Sequence, residues 1–241
     1  LRATDRISML FLAANELGYR NLMELSSKFF LNDTYRFEGM SIREIDKFSD
    51  GLICLSGGDE SPINNLLRDN KIKEAENLSL HFKRTFGDRF YLEMNRHPLG
   101  ENYSERVNIE DNNLDLADKQ KLPLVATNDV YFLEKELHQP HDALLCIAEG
   151  SFVDQQQERR SSSMDHFFKS EIEMRDLFRD IPEAIENTVE IAMRCSFRPR
   201  STDAMLPRFS PNADADLEQE AKEGLQIRFK ESLGISDQKV Y

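Results

Sequence analysis

No apolar run in the 241 residues approaches the ~20 residues needed to cross a bilayer. Cysteine is scarce. Cys54, Cys146 and Cys195 are the three present, and no two of them form a C-x-x-C pair. That count argues against a disulfide framework or a zinc knuckle and for buried thiols in a reducing compartment. The phosphate-binding G-x-x-x-x-G-K-[ST], the nucleophile elbow G-x-S-x-G and the zincin H-E-x-x-H are all missing. Internal repeats are also lacking. Basic residues are outnumbered, 31 Lys and Arg against 44 Asp and Glu, for a net charge of −13. A surface this acidic repels a phosphate backbone, so the chain is a poor candidate for gripping DNA or RNA itself. The charge serves solubility, and in a sharper reading it prepares a docking face for a basic partner.

What is present is an alternation of short apolar runs with helical periodicity. Four runs end abruptly in polar residues. Ile7–Ala13 leads into Asn15, Glu16 and a helix through about Lys28. Gly51–Leu55 ends at Ser56-Gly57-Gly58, Phe90–Met94 at Asn95-Arg96-His97, and Leu124–Ala126 at Thr127-Asn128-Asp129. Strands alternating with helices predict an α/β domain built on a parallel sheet. In such barrels the C-terminal strand ends form the face that carries chemistry. Ser41-x-x-Glu44 and Ser170-x-x-Glu173 have the spacing of capping boxes. Asp180-Ile181-Pro182-Glu183 predicts an N-cap and first turn for a helix to about Arg194, with Ile181, Ile185, Val189 and Ala192 on its buried face. Phe152 to Met164 is polar and predicts a long exposed loop. Residues 197–216, with Pro199, Pro207 and Pro211, predict a linker. A helix from about Asp216 to Leu233 would follow it. The chain opens on Leu1, close to a strand-like run, so a segment of a longer protein is expected.

The candidate site lies on those strand ends. Metal ions of the zinc and manganese kind need carboxylate and imidazole ligands converging on one point, and the ends offer His97 and Asp129. His141 follows a connecting segment, and the sequence alone does not fix its distance from the same rim. The plainer readings are a hydrogen-bonded histidine for His97 and a turn or helix cap for Asp129. Side chains on one side of an extended strand repeat every two residues, so an Asp-x-His pair would set two ligands side by side. Position 131 is instead Tyr131. His138 and His141 are three apart, with Pro140 between them. His81 and His166 carry no signal. Gly57-Gly58 suits either a tight turn or close approach to a phosphate.

Taken in order, these segments resemble a known family. Gly18-Tyr-Arg-Asn-Leu22, Leu25-Ser-Ser27, Gly51-Leu-Ile53, Leu55-Ser-Gly-Gly58, Phe90-Tyr-Leu-Glu93, Arg96-His97 and Leu122 through Asp129 are similar to the PHP (polymerase and histidinol phosphatase) domain of bacterial replicative DNA polymerase III alpha subunits. The likeness runs on through His141-Asp-Ala-Leu-Leu-Cys-Ile147, Phe168-Lys-Ser170 with Glu173-Met174, Ile181-Pro-Glu-Ala-Ile185, Arg194-Cys195 and the helix around Glu223-Gly-Leu225.

The resemblance implies a distorted (β/α)7 barrel, here partial and lacking its N-terminal strands. The PHP domain would span residues 1–196, with residues 197–241 a linker and first helix leading to the polymerase palm. It implies a scaffold that docks the proofreading exonuclease, inside a cytoplasmic replicase with a sliding clamp and clamp loader. DNA would be contacted through other domains, and no membrane is involved. The parent would synthesise DNA with Mg²⁺ held by palm aspartates outside this chain. The family's PHP metal cluster begins with an H-x-H motif that is absent here. His97 and Asp129 match later ligands, and Tyr131 replaces a ligand histidine. A phenol stays protonated at neutral pH and is a poor ligand, so the Zn²⁺ or Mn²⁺ site is expected to be vestigial. The alternative is an active metal-dependent phosphoesterase or 3′–5′ exonuclease. An error-prone paralogue would share the same PHP layout. A barrel short of strands exposes an unpaired edge, which predicts poor stability of the isolated segment.

Overall fold

A computed structural model describes residues 8–98, 103–155, 162–201, 203 and 209–232. The chain divides into two compact units, residues 1–198 and 199–241. The second unit contains helix α10 (Ala213–Ser232), which starts three residues ahead of the predicted Asp216. Residue 233, and 156–161 of the predicted 152–164 loop, lie outside the described residues.

The first unit is mixed α/β around a four-stranded sheet of order β1-β2-β3-β4. The strands are β1 (Leu10–Ala13), β2 (Leu52–Leu55), β3 (Phe90–Asn95) and β4 (Leu124–Thr127). Between β1 and β2 lie α1 (Glu16–Leu31), α2 (Asp33–Glu38) and α3 (Ile42–Lys47). Between β2 and β3 lie α4 (Pro62–Arg68) and α5 (Ile72–Phe86), and α6 (Tyr103–Gln120) connects β3 to β4. After β4 come α7 (His138–Glu149), α8 (Glu171–Leu177) and α9 (Pro182–Arg194).

β2, β3 and β4 are parallel, as the helical crossovers between them require, but β1 runs antiparallel to β2. This corrects the all-parallel expectation. Helix α1 starts immediately after β1, with the Asn15 side chain accepting from Gly18 N–H. The chain then returns to the end where β1 finished: Ala14 N–H donates to Gly51 O at 2.9 Å, and Asn21 donates to Asp50 O at 2.8 Å. Gly18 allows that return, since a Cβ there would lie 2.0 Å from Gly51 O. Strand direction is set by this contact, which hydrophobic patterning does not report. In consequence Asn15 and Glu16 stand at the opposite end of the sheet from the other three polar strand ends.

The period-two alternation of strand side chains splits the apolar residues between two faces. Leu52, Cys54, Phe90, Leu92, Met94, Leu124 and Ala126 join the main core with Ile63, Phe82, Phe86, Leu116 and Phe178. Ile53, Leu55, Tyr91 and Val125 form a smaller core on the other face with Ile191 of α9. Burial pushes the Cys54 thiol well above its ordinary value, the nearby Glu93 adding to it; this cysteine is an inert core residue.

Two details of α9 depart from expectation. Its N-cap is Ile181, and Asp180 makes no cap. Pro182 takes the first helical position, and the Asp180 carboxylate is drawn off by Arg96, which donates to its two oxygens at 2.6 and 2.7 Å. The buried face is Ala184, Ile185 and Ile191, while Val189 and Ala192 face solvent. Asn187 explains the rotation: its amide donates to Leu124 O at 2.7 Å, covering part of the open edge of β4. The Ser170 capping box forms in full. At Ser41 only the hydroxyl half is made, because Glu44 turns to Lys28 and Lys47.

Candidate functional site

The parallel strands place Ser56, Asn95 to His97 and Thr127 to Asp129 at one rim. The register pairs Glu93 with Val125 and Asn95 with Thr127, so Glu93, Asn95 and Thr127 share the face of the smaller core. Their side chains form one network. The Thr127 hydroxyl donates to Glu93 Oε1 at 2.7 Å, and Asn95 Nδ2 donates to Thr127 Oγ1 at 2.7 Å. Gly57 N–H donates to the other Glu93 oxygen at 3.0 Å, and Glu93 N–H donates to Ser56 Oγ at 2.9 Å. Burial raises the pKa of the Glu93 carboxyl, partly offset by these donors.

The Gly57-Gly58 turn is thereby assigned. Gly57 has φ +105° and a Cβ there would lie 2.0 Å from Ser8 O, so the glycine is needed for a tight turn against the segment that leads into β1. Its N–H, the donor a phosphate would require, is held by Glu93. Sequence reasoning passed over Glu93, although an acid inside an otherwise apolar strand was a legible signal.

His97 and Asp129 both follow strands that end at this rim. His97 is buried, and its ring stacks on His166 with centroids 4.2 Å apart and planes within 7°. His166 stacks in turn on Tyr131 at 4.8 Å and 11°, and Tyr131 on His141 at 5.6 Å and 5°. The Tyr131 hydroxyl donates to Asp129 Oδ2 at 2.8 Å. His166 therefore stands between His97 and Tyr131, whose hydroxyl holds the Asp129 carboxylate. Among the described residues no three His, Cys, Asp or Glu side chains form a group able to hold a metal ion. The described residues by themselves do not compose a metal centre.

His141 lies at the end of that stack. His138 and His141 both meet Ser162, His138 through its carbonyl at 2.6 Å and His141 through its hydroxyl at 3.1 Å. Pro140 is tolerated between them because it lies in the first turn of α7. His166, which carried no signal in the sequence, is buried at the centre of the stack. A 3-10 turn, Met164–His166, places it there, capped by Ser163. Tyr131 N–H donates to His166 O at 2.9 Å, and Phe168 N–H to Phe132 O at 3.0 Å. His81 lies elsewhere, bonded to Asp46 at 3.0 Å.

Lys169 ties the rim together. Its amine donates to Asn128 Oδ1 at 2.9 Å and to the Asp165 carbonyl. Burial lowers its pKa. An open concavity of about 400 Å³ lies beside it, lined by Val125, Thr127, Val130, Phe168 and Ile191 among others, and neither His97 nor Asp129 borders it. Behind the rim, Arg96 joins three elements. It donates to Glu110 of α6 at 2.9 Å, to Leu177 O at 2.7 Å and to both Asp180 oxygens, and its guanidinium lies 4.7 Å from the Phe178 ring.

Among the described residues no helix is long and apolar enough to cross a membrane. The PHP domain family matches residues 2–97. Over 95% of its length the chain is 42% identical to the DNA polymerase III subunit alpha of Caulobacter vibrioides, of which it covers 20%. Over 91% it is 41% identical to that of Rickettsia bellii, covering 19%, and over 94% it is 37% identical to that of Pseudomonas aeruginosa, covering 19%. The chain thus spans about a fifth of the length of the curated relatives it matches. Residues 2–97 thus match the PHP domain family, and the chain is similar over nearly its whole length to a segment of DNA polymerase III alpha subunits.

Proposed function

We propose that this region acts as a scaffold and docking domain, within a parent protein that carries out template-directed DNA synthesis. The observation that carries the reading is the bond from Tyr131 to Asp129. A ligand position has become a hydrogen-bond donor, and the rim is filled by stacked rings where a hydrolytic centre would need open coordination positions. DNA synthesis would use Mg²⁺ at palm carboxylates outside this chain. The four strands represent part of a distorted (β/α)7 barrel. Residues 1–196 are the PHP portion and 197–241 the approach to the palm. The parent works in the cytoplasm with a proofreading exonuclease, sliding clamp and clamp loader. His97 and Asp129 are the remnants of a Zn²⁺ or Mn²⁺ site.

The test uses the intact alpha subunit. It should incorporate dNTPs and bind its exonuclease subunit, and His97→Ala should leave any 3′–5′ hydrolysis unchanged. An intact subunit that incorporates no dNTP contradicts the polymerase reading. Prompt Mn²⁺- or Zn²⁺-dependent hydrolysis, lost in His97→Ala, establishes the alternative of an active phosphoesterase.

A further inference from the structure

Helix α7 is inside out. Its sequence, HQPHDALLCIAE, buries Asp142 and Cys146, while Leu144 is 62% and Ile147 77% exposed. A surface helix normally turns its large aliphatic residues to the core and its charges to water. Leu144 and Ile147 are three residues apart and so share one side of α7, and Leu137 ends the 3-10 turn that leads into it. Leu137 is 41% exposed, and Phe152, just past the C-terminal Gly150, is 73% exposed. Single exposed aliphatics are ordinary, but a contiguous stripe marks an interaction surface.

The charges bordering the stripe decide what covers it. Glu134 and Glu136 precede Leu137, with Lys135 between them held over the Phe167 ring, and Glu149 and Asp154 flank Ile147 and Phe152; all four carboxylates face solvent. A second copy of this chain, with the same acidic border and a net charge of −13, would set like charges against each other. That arrangement is penalised at interfaces.

We infer that the outer stripe of α7, Leu137, Leu144 and Ile147 with Phe152, is a docking surface for an amphipathic helix whose aliphatic face is bordered by lysine or arginine. Its apolar side fills the stripe in the helix-in-groove manner, and its cations meet the four carboxylates. The chemistry is read from α7 alone; the inference rests on the docking role proposed above only for the idea that a replicase subunit supplies the helix.

The experiment titrates the intact alpha subunit into a fluorescently labelled designed leucine–lysine amphipathic helix and follows anisotropy. Leu144→Ser/Ile147→Ser should weaken binding at least about tenfold, since each residue loses a buried aliphatic side chain. Ile172→Ser, which removes an equally exposed aliphatic from α8, should leave it unchanged, and a leucine–glutamate helix should not bind. Equal loss in both variants, or none in either, overturns the assignment. So does an intact subunit that binds no peptide because its own chain covers α7, and so does self-association abolished by the double variant, which would make a second copy the occupant. Binding of the exonuclease subunit is measured on the same variants. If that subunit binds wild type and the double variant equally, the docking role stands and this face does not serve it; if it binds neither, the docking role itself fails.

Discussion

The Tyr131 hydroxyl donates to Asp129 Oδ2 at 2.8 Å while its ring lies against His166 at 4.8 Å. One side chain thus neutralises the hydrogen-bonding demand of a rim carboxylate and extends a ring stack. The two roles separate by substitution. Tyr131→Phe keeps the ring and loses a bond between exposed groups, so it should cost under about 1 kcal/mol. His166→Ala removes a buried ring with a neighbour on each face, and should cost about 2–4 kcal/mol. Urea unfolding of the two variants checks the order. A Tyr131→Phe loss exceeding that of His166→Ala contradicts it.

Arg96 should be the most sensitive charged position. Arg96→Ala leaves Glu110, Asp180 and the Leu177 carbonyl without their donor at a mostly buried site, and should cost about 3–5 kcal/mol. Arg96→Lys should recover little, because an ammonium cannot reproduce the two-pronged contact with Asp180. The Arg96 bond holds the Asp180 carboxyl below its ordinary value. Its contribution is therefore full above the ordinary aspartate pKa and is lost as pH falls through the depressed one. The acid limb of a stability profile should flatten in Asp180→Asn.

Glu93 gives a pH dependence of opposite sign. Burial raises its folded pKa, so the folded state binds the proton more tightly than the unfolded chain. Its contribution is greatest below the ordinary glutamate pKa and falls as pH rises through the raised value. Glu93→Gln mimics the protonated acid and should remove this decline. Wild type and variant should have similar stability near pH 4.5, the ordinary glutamate value, and the variant should be the more stable at neutral pH. Unfolding free energies at the two pH values check this. A variant less stable than wild type at neutral pH shows that the carboxylate is held charged.

Gly18→Ala tests the turn-back that sets the direction of β1. The added methyl would meet Gly51 O at 2.0 Å, backbone against backbone, and relief requires moving α1 from the sheet. A loss of about 1–3 kcal/mol is expected, with the amides of β1 losing hydrogen-exchange protection while β3 and β4 keep theirs. Unchanged exchange in β1 contradicts the packing described.

Much of this architecture was legible. The apolar runs at 52–55, 90–95 and 124–127 became parallel strands, and their polar ends share a rim, because buried strands and their terminators are local signals. What escaped notice depends on partners far away in the chain. Asp180 reads as an N-cap until Arg96, 84 residues earlier, draws its carboxylate away. Val189 reads as core until Asn187 ties α9 to Leu124 O. His166 has no motif of its own, and its burial follows from the pairing of its backbone with Tyr131. Glu93 could be seen as an acid in an apolar strand, but its donors come from two other strand ends.

The claim that the rim is a packed scaffold and no longer a metal centre has a direct test. The intact parent protein is purified without chelators and its metal content measured by elemental analysis. No zinc or manganese is expected beyond any ions held by the polymerase portion proposed above, and none gained on mild dialysis against either metal. Two or three further equivalents, lost in His97→Ala or Asp129→Ala, would show that the site survives despite Tyr131 and would contradict the account.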